Sequence, residues 1–207
     1  MVTMIETARL ALRRPTEDDL EPLAAINADQ EVMRFIGDGT IKSREQTAAG
    51  LARGIQEWDE RGFGMFSVDL RDGEQDGEQD AEQDGEKVAE QRAGSQFIGW
   101  VALTPPAYLP EVMPAVEIGY RLARKHWGRG YATEAGTAAL RFGFEECGFD
   151  RIVSIRDVGN DASRRVMEKL GLTFDHETVA PASQQRVAVY EITRATYEAE
   201  QVCARLD

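Results

Sequence analysis

Residues 116–133 read Val-Glu-Ile-Gly-Tyr-Arg-Leu-Ala-Arg-Lys-His-Trp-Gly-Arg-Gly-Tyr-Ala-Thr, and the chemistry this stretch can do is the binding of an anion. Val116 to Leu122 reads as a strand, rich in β-branched and aromatic residues and free of proline. A basic run, Arg124-Lys125-His126, leads into a tight Gly128-Arg129-Gly130 turn. Beyond it Ala135, Ala138, Ala139 and Phe142 recur at i, i+3, i+4 and i+7, one face of a helix. A strand, a glycine turn and a helix in that order aim free N–H groups and a positive helix end at one spot. Such a spot suits phosphate, and glycines let a ligand approach the main chain closely. Arg121, Arg124, Lys125 and Arg129 add a basic cluster there, although a sharp turn with a solvated basic loop would have the same residues.

The elements that must hold this turn follow from the rest of the chain. Leu10 to Arg13 reads as a first strand, stopped by Pro15. Thr16 is a helix cap, with Asp18 and Asp19 in the first turn. Val32 to Ile36 is a short apolar piece ending at Gly37. Ser43-Arg-Glu-Gln46 is a capping box that predicts a helix from about 44 to 60. Residues 64–70 and 96–103 read as a strand pair, and four prolines between 105 and 114 place a loop before the central strand. Gly148 ends the central helix, and residues 151–158 form the next strand. Asn160 caps a helix containing Val166, Met167 and Leu170 and ended by Gly171. Residues 172–174 and 187–192 close the fold as an antiparallel pair, with a short helix from Thr196. Alternating strands and helices predict an α/β sandwich.

Between the strand pair lies a repeat of Gly-Glu-Gln-Asp type. Residues 72–92 hold nine acids and two bases, so they carry −7 of the chain's net charge of −13. So polar a segment cannot bury enough surface to order itself and reads as an expanded, disordered hairpin connection. An acidic chain argues against nucleic acid as a partner. No apolar run approaches the ~20 residues needed to cross a bilayer, and Glu6 and Arg9 interrupt any signal-peptide core. Two cysteines, Cys147 and Cys203, make no disulfide framework, so cytoplasmic residence is expected. His126 and His176 have no ligand partners at metal spacing, so no metal is expected.

The stretch Trp127-Gly-Arg-Gly-Tyr-Ala132 resembles the pyrophosphate loop of the GNAT superfamily of acetyl-CoA-dependent N-acetyltransferases. Glu117-Ile-Gly-Tyr120, Asn160-Asp-Ala-Ser-Arg-Arg-Val-Met-Glu-Lys-Leu-Gly171, Arg9-Leu-Ala-Leu-Arg13 and Thr16-Glu-Asp-Asp-Leu20 sharpen the likeness. Together they resemble the branch of the ribosomal-protein N-terminal (alanine/serine) acetyltransferases. The resemblance implies one N-acetyltransferase domain over residues 8–195, interrupted by the acidic insert at about 72–93, with a tail at 196–207. It implies an α/β fold of GNAT type, with a mixed central sheet whose parallel strand pair splays. The cofactor arm would lie in that split, between residues 116–123 and 151–157.

From the same resemblance come the site residues. Trp127, Gly128, Arg129, Gly130, Tyr131, Ala132 and Thr133 would hold the pyrophosphate, and Asn160 the pantetheine arm. A backbone N–H near Leu122 would polarise the acetyl carbonyl. Glu117 stands where several GNAT enzymes carry a base, and a strand carboxylate paired with arginine is its plain alternative. Many GNAT enzymes place a tyrosine acid seven residues after the asparagine, where this chain has Met167. Ser163, three residues after Asn160, is the hydroxyl that the ribosomal branch would use instead, unless it only bonds back to the cap. Tyr120 and Tyr131 read as core or cofactor-packing residues, and Trp58, Phe63 and Trp100 as acceptor-pocket or core aromatics.

The function implied is direct acetyl transfer from acetyl-CoA, a co-substrate, to a primary amine on a protein N-terminus or a small molecule. The acidic balance agrees with a basic acceptor without selecting one. The expected partners are therefore acetyl-CoA and the amine, with no nucleic acid and no membrane, in a monomer or homodimer. The alternative is a non-catalytic acyl-CoA-binding regulatory module of the same fold, kept open by Met167. A dinucleotide enzyme fails on glycine spacing, since no third glycine follows Gly130 after three residues.

Overall fold

The computed structural model describes residues 4–71 and 96–203. The acidic repeat lies outside the described residues. One mixed sheet of eight strands runs in the order β1-β2-β3-β4-β5-β6-β8-β7. Its strands are β1 (Met4–Glu6), β2 (Leu10–Arg13), β3 (Met65–Leu70), β4 (Gln96–Thr104), β5 (Val116–Leu122), β6 (Arg151–Asp157), β7 (Thr173–Val179) and β8 (Arg186–Thr193). Every neighbouring pair is antiparallel except β5 with β6.

That exception shapes the molecule. The parallel ladder holds only Val116 opposite Ile152 and Glu117 opposite Val153. Both strands continue, to Leu122 and Asp157, without further pairing to each other, so the edges they turn toward one another are open. The unpaired backbone there must find other partners or face a ligand. The Ser154 hydroxyl supplies one partner, donating to the Ile118 carbonyl at 2.8 Å. The sheet is therefore the mixed, splayed one that the sequence predicts.

Among the described residues six α-helices flank it: α1 (Leu20–Asn27), α2 (Gln30–Met33), α3 (Arg44–Arg61), α4 (Tyr131–Arg141), α5 (Asp161–Lys169) and α6 (Arg194–Cys203). Ser43 caps α3 through the Gln46 amide, and Gln46 returns the bond to the Ser43 amide, so the capping box forms as read. Thr16 caps a short 3-10 turn at Glu17–Asp19 that leads into α1. Ala135 and Ala139 bring α4 close to the sheet, where Val101, Leu103, Ile118 and Leu122 face it in the main core. Met167 and Leu170 of α5 join the same core. The α4 helix ends in a π turn at Phe142–Glu146, which periodicity alone does not reveal.

A second, smaller core lies under the proline-rich loop. Leu109 and Val112 of that loop pack with Val153, Val187 and Val189 of β6 and β8. This anchors the loop over the point where β5 and β6 part. The N-terminal motif is tied down by ion pairs: Arg13 bridges Asp19 and Asp69 with both carboxylates nearly buried. Ser67 donates to Asp19 at 2.8 Å and completes that network.

Candidate active site

The β5–β6 split, the turn at its end and the cleft beside it form one continuous region. Gly130 stands at φ +84°, a left-handed conformation that glycine adopts without strain, and opens α4. The first helical bond runs from the Glu134 amide to the Gly130 carbonyl. The amides of Tyr131, Ala132 and Thr133 thus have no acceptor within the helix and point toward the turn. A Cβ at Gly128 would meet nothing within 4 Å, so that side of the turn is open. The donors and the space fit a phosphate.

Arg9 holds this turn from behind. Its guanidinium pairs with Glu134, donates to the Arg129 carbonyl at 3.1 Å and lies 4.6 Å over the Tyr131 ring. Glu134 also accepts from the Thr7 hydroxyl and the Arg9 amide. Although its partial burial opposes ionisation, these bonds hold its carboxyl below the usual range. Tyr131 is buried, as the packing reading expects. The Trp127 indole donates to the Leu122 carbonyl at 2.8 Å and fixes the end of β5.

Successive amides of a strand point to opposite edges. The Ala123 amide donates to Ile98 in β4. The Leu122 amide therefore faces the other edge, where β6 has departed. A donor so placed can polarise a carbonyl lying in the split.

Glu117 sits at the root of the split. It is half-buried, and burial lifts its carboxyl to about 7. The Tyr108 hydroxyl, which donates at 2.9 and 3.0 Å to its two oxygens, and the Ile155 amide oppose that rise. Burial, with the Glu117 charge beside it, pushes the Tyr108 phenol up, so it stays protonated and donates. No arginine pairs with Glu117 among the described residues. A carboxyl poised near 7 beside a cleft is suited to take a proton from an amine.

Asn160 caps α5, its Oδ1 accepting the Ser163 amide at 3.1 Å. The Ser163 hydroxyl does not bond back to the cap. It lies 3.0 Å from the Tyr120 hydroxyl, which also reaches the Ser163 carbonyl at 3.1 Å. Tyr120 is thus more than the packing residue expected from the sequence: burial pushes its phenol up to about 12, and it forms a hydroxyl pair with Ser163 across the split. Met167 is 1% exposed and belongs to the core.

A cleft of about 230 Å³ lies between α3 and the β4–β5 hairpin. Arg53, Gly54 and Glu57 line one wall, and Trp100, Glu117 and Gly119 line the other. Of the three aromatics considered from the sequence, only Trp100 lines it. Trp58 is core, its indole donating to the Met65 carbonyl, and Phe63 packs edge-on against Phe149. Tyr108 was not singled out by sequence reasoning, since no spacing rule links a proline-rich loop to a strand carboxylate nine residues on. His126 is 2% exposed with neither ring nitrogen partnered, so it is a buried neutral imidazole within the turn.

A profile of the acetyltransferase (GNAT) domain matches residues 9–173. The chain belongs to the GNAT acetyltransferase family. A Bacillus subtilis (strain 168) protein called YkkB, uncharacterized, is 31% identical over 190 residues, 91% of this chain and 95% of its own length. A GNAT-family acetyltransferase structure from Bacillus anthracis superposes with a TM-score of 0.70 at 23% identity, covering 93% of this chain and 99% of that one. The ribosomal alpha-N-protein acetyltransferase RimL, solved with coenzyme A, superposes with a TM-score of 0.65 at 17% identity, covering 92% and 97%. These structures share the GNAT fold, and GNAT acetyltransferases use acetyl-CoA as co-substrate. Among the described residues no helix is long and apolar enough to cross a membrane.

Proposed function

We propose that this GNAT chain transfers acetyl from acetyl-CoA directly to a primary amine, on a protein N-terminus or a small molecule, without a covalent enzyme intermediate. The observation that carries this reading is Glu117, a carboxyl lifted to about 7 where the β5–β6 split meets the cleft. Gly128, Gly130 and the α4 amides would take the pyrophosphate, and Trp127 and Arg129 would flank it. The Asn160 amide would take the pantetheine arm. The Leu122 amide would donate to the thioester oxygen as negative charge grows on it.

Glu117 takes a proton from the ammonium form of the acceptor and frees its lone pair. The amine nitrogen bonds to the thioester carbon as the carbon–sulfur bond breaks. The departing sulfur takes a proton from the Ser163–Tyr120 hydroxyl pair, and the second proton that the nitrogen sheds as the amide forms returns to that pair. Two hydroxyls 3.0 Å apart can relay that proton where a single tyrosine acid is missing at Met167.

The test is thiol release from acetyl-CoA with a panel of primary amines. Turnover should fall on the order of a hundredfold or more in Glu117→Gln, with acetyl-CoA binding retained. The combined Ser163→Ala, Tyr120→Phe change should lower kcat more than KM. Turnover that survives both changes unaltered sinks this assignment of roles.

A further inference from the structure

Past Trp100, which lines the cleft, β5 carries Arg121 at the far end from Glu117. Glu117, Gly119 and Arg121 share one face of β5, because side chains alternate along a strand. The register sets Thr104 beside Glu117 and Trp100 beside Arg121. The two charged residues are four positions apart, ~13 Å along the strand.

Arg121 is held in place without being neutralised. Its Cζ lies 5.1 Å from the Trp100 ring centroid, and its Nη1 donates to Asn27 Oδ1 at 2.5 Å. Its Nε is buried with no partner. Asn27 is buried and fixed in turn, its amide nitrogen donating to Thr47 at 3.1 Å. The Asn27 carbonyl accepts the Lys42 amide at 3.0 Å, which ties the Lys42 segment to the same spot. Lys42 lies near enough to Arg121 and to Arg53, on the cleft wall, for both charges to act on it. Burial and those two cations lower its pKa.

Among the described residues none of Lys42, Arg53 and Arg121 forms an ion pair. Yet the chain has 37 acids against 24 bases, so counter-charges are plentiful. Nearby acids are used elsewhere: Glu57, on the same cleft wall as Arg53, pairs with Arg61 at 3.6 Å, Glu21 pairs with Arg44, and Asp59 with Arg14. Three converging cations, one partly desolvated, repel one another until an anion joins them.

We infer that Arg53 on the cleft wall, with Arg121 and Lys42 beyond Trp100, forms a subsite for a carboxylate carried by the acceptor, several bonds from the amine that Glu117 serves. The inference rests on the proposed acetyl transfer and names its substrate class: an amino-carboxylate rather than a polyamine. The planar guanidinium of Arg121 has donors left for a carboxylate, and the Trp100 ring offers an apolar floor between the two ends. The chain's negative total does not oppose this, since the field inside a cleft is set by the groups lining it.

The test is calorimetry on the full chain, first with CoA and then with two acetylated products. N-acetyl-6-aminohexanoate carries the carboxylate, and N-hexylacetamide lacks it. Absence of CoA binding would count against the acetyl-transfer reading, whereas the carboxylate preference is measurable with or without CoA. The carboxylated compound should bind about tenfold tighter, and raising salt from low to high concentration should erode that advantage. The Lys42→Ala, Arg53→Ala double variant should bring the ratio toward one. Equal binding of the two compounds by the wild type would overturn the subsite, as would a preference that persists unchanged in salt or in the double variant.

Discussion

At the scale of single residues, the account turns on protons. Glu117 must be unprotonated to accept one, and its carboxyl stands at about 7. The kcat/KM profile should therefore rise with pH and level off above about 7, and that limb should vanish in Glu117→Gln. Tyr108 opposes the rise in Glu117's pKa by donating to it. Tyr108→Phe should move the limb to higher pH while leaving kcat at the plateau within a few-fold, which separates positioning from catalysis. Reading the sequence alone reaches Glu117, through its place on a motif strand, but not Tyr108 or the Asn27–Arg121 bond. The latter joins residues 94 positions apart and depends on how α1 meets β5. Ser163 was reachable through the family resemblance, which points three residues past Asn160. Its pairing with Tyr120 needed the distance across the split, which no local pattern encodes.

At the scale of elements, the turn that opens α4 carries a stability cost. His126 is buried there without a partner, and burial together with the Lys125 charge lowers its pKa below 6.5. The unfolded chain therefore binds a proton more readily than the folded one. The neutral imidazole contributes stability that is present above pH 6.5 and lost as pH falls through the lowered folded value. Melting curves between pH 5.5 and 7.5 should show this decline, and His126→Phe should flatten it. Removing the unsatisfied polar atoms should also raise Tm at pH 7, by about 2–4 °C for each kcal/mol regained. A flat wild-type profile would sink this reading. The Ser43 box, the β5 strand and the Asn160 cap were legible because each is a local pattern. The three-residue strand β1 was not, since Met4-Ile-Glu6 has no alternation long enough to mark it. Gly99 was passed over for a related reason. It stands at φ +145°, and a Cβ there would lie 2.2 Å from the Arg121 carbonyl. Gly99→Ala should therefore prevent normal folding, seen as loss of a cooperative melt.

At the scale of the whole molecule, the strands on either side of the acidic repeat already meet. Leu70 pairs with Gln96 and Asp69 with Phe97, so, apart from a register shift between Val68 and Asp69, the β3–β4 ladder reaches almost to the ends of the described residues. Loop length costs only ~0.6 kcal/mol per doubling. Replacing residues 72–95 with a short turn should leave Tm within a few degrees and acetyl-CoA binding within a few-fold. A collapse of either would show that the repeat takes part in the fold or the site. The order of motifs along the chain made the family legible, since strand, glycine turn and helix must follow one another to build a phosphate site. What the order could not supply is the charge map of the cleft. Lys42, Arg53 and Arg121 come from three segments that only the fold brings together.

The most direct measurement is calorimetric titration of acetyl-CoA into the wild type and into Gly128→Asp, with NADH as a control ligand. Gly128 stands on the open side of the turn, where an added Cβ meets nothing within 4 Å, and an aspartate there would repel a phosphate. The account predicts saturable binding of one acetyl-CoA per chain, lost in a variant that still melts cooperatively, and no heat with NADH. Equal binding by the variant, or none by the folded wild type, would contradict it.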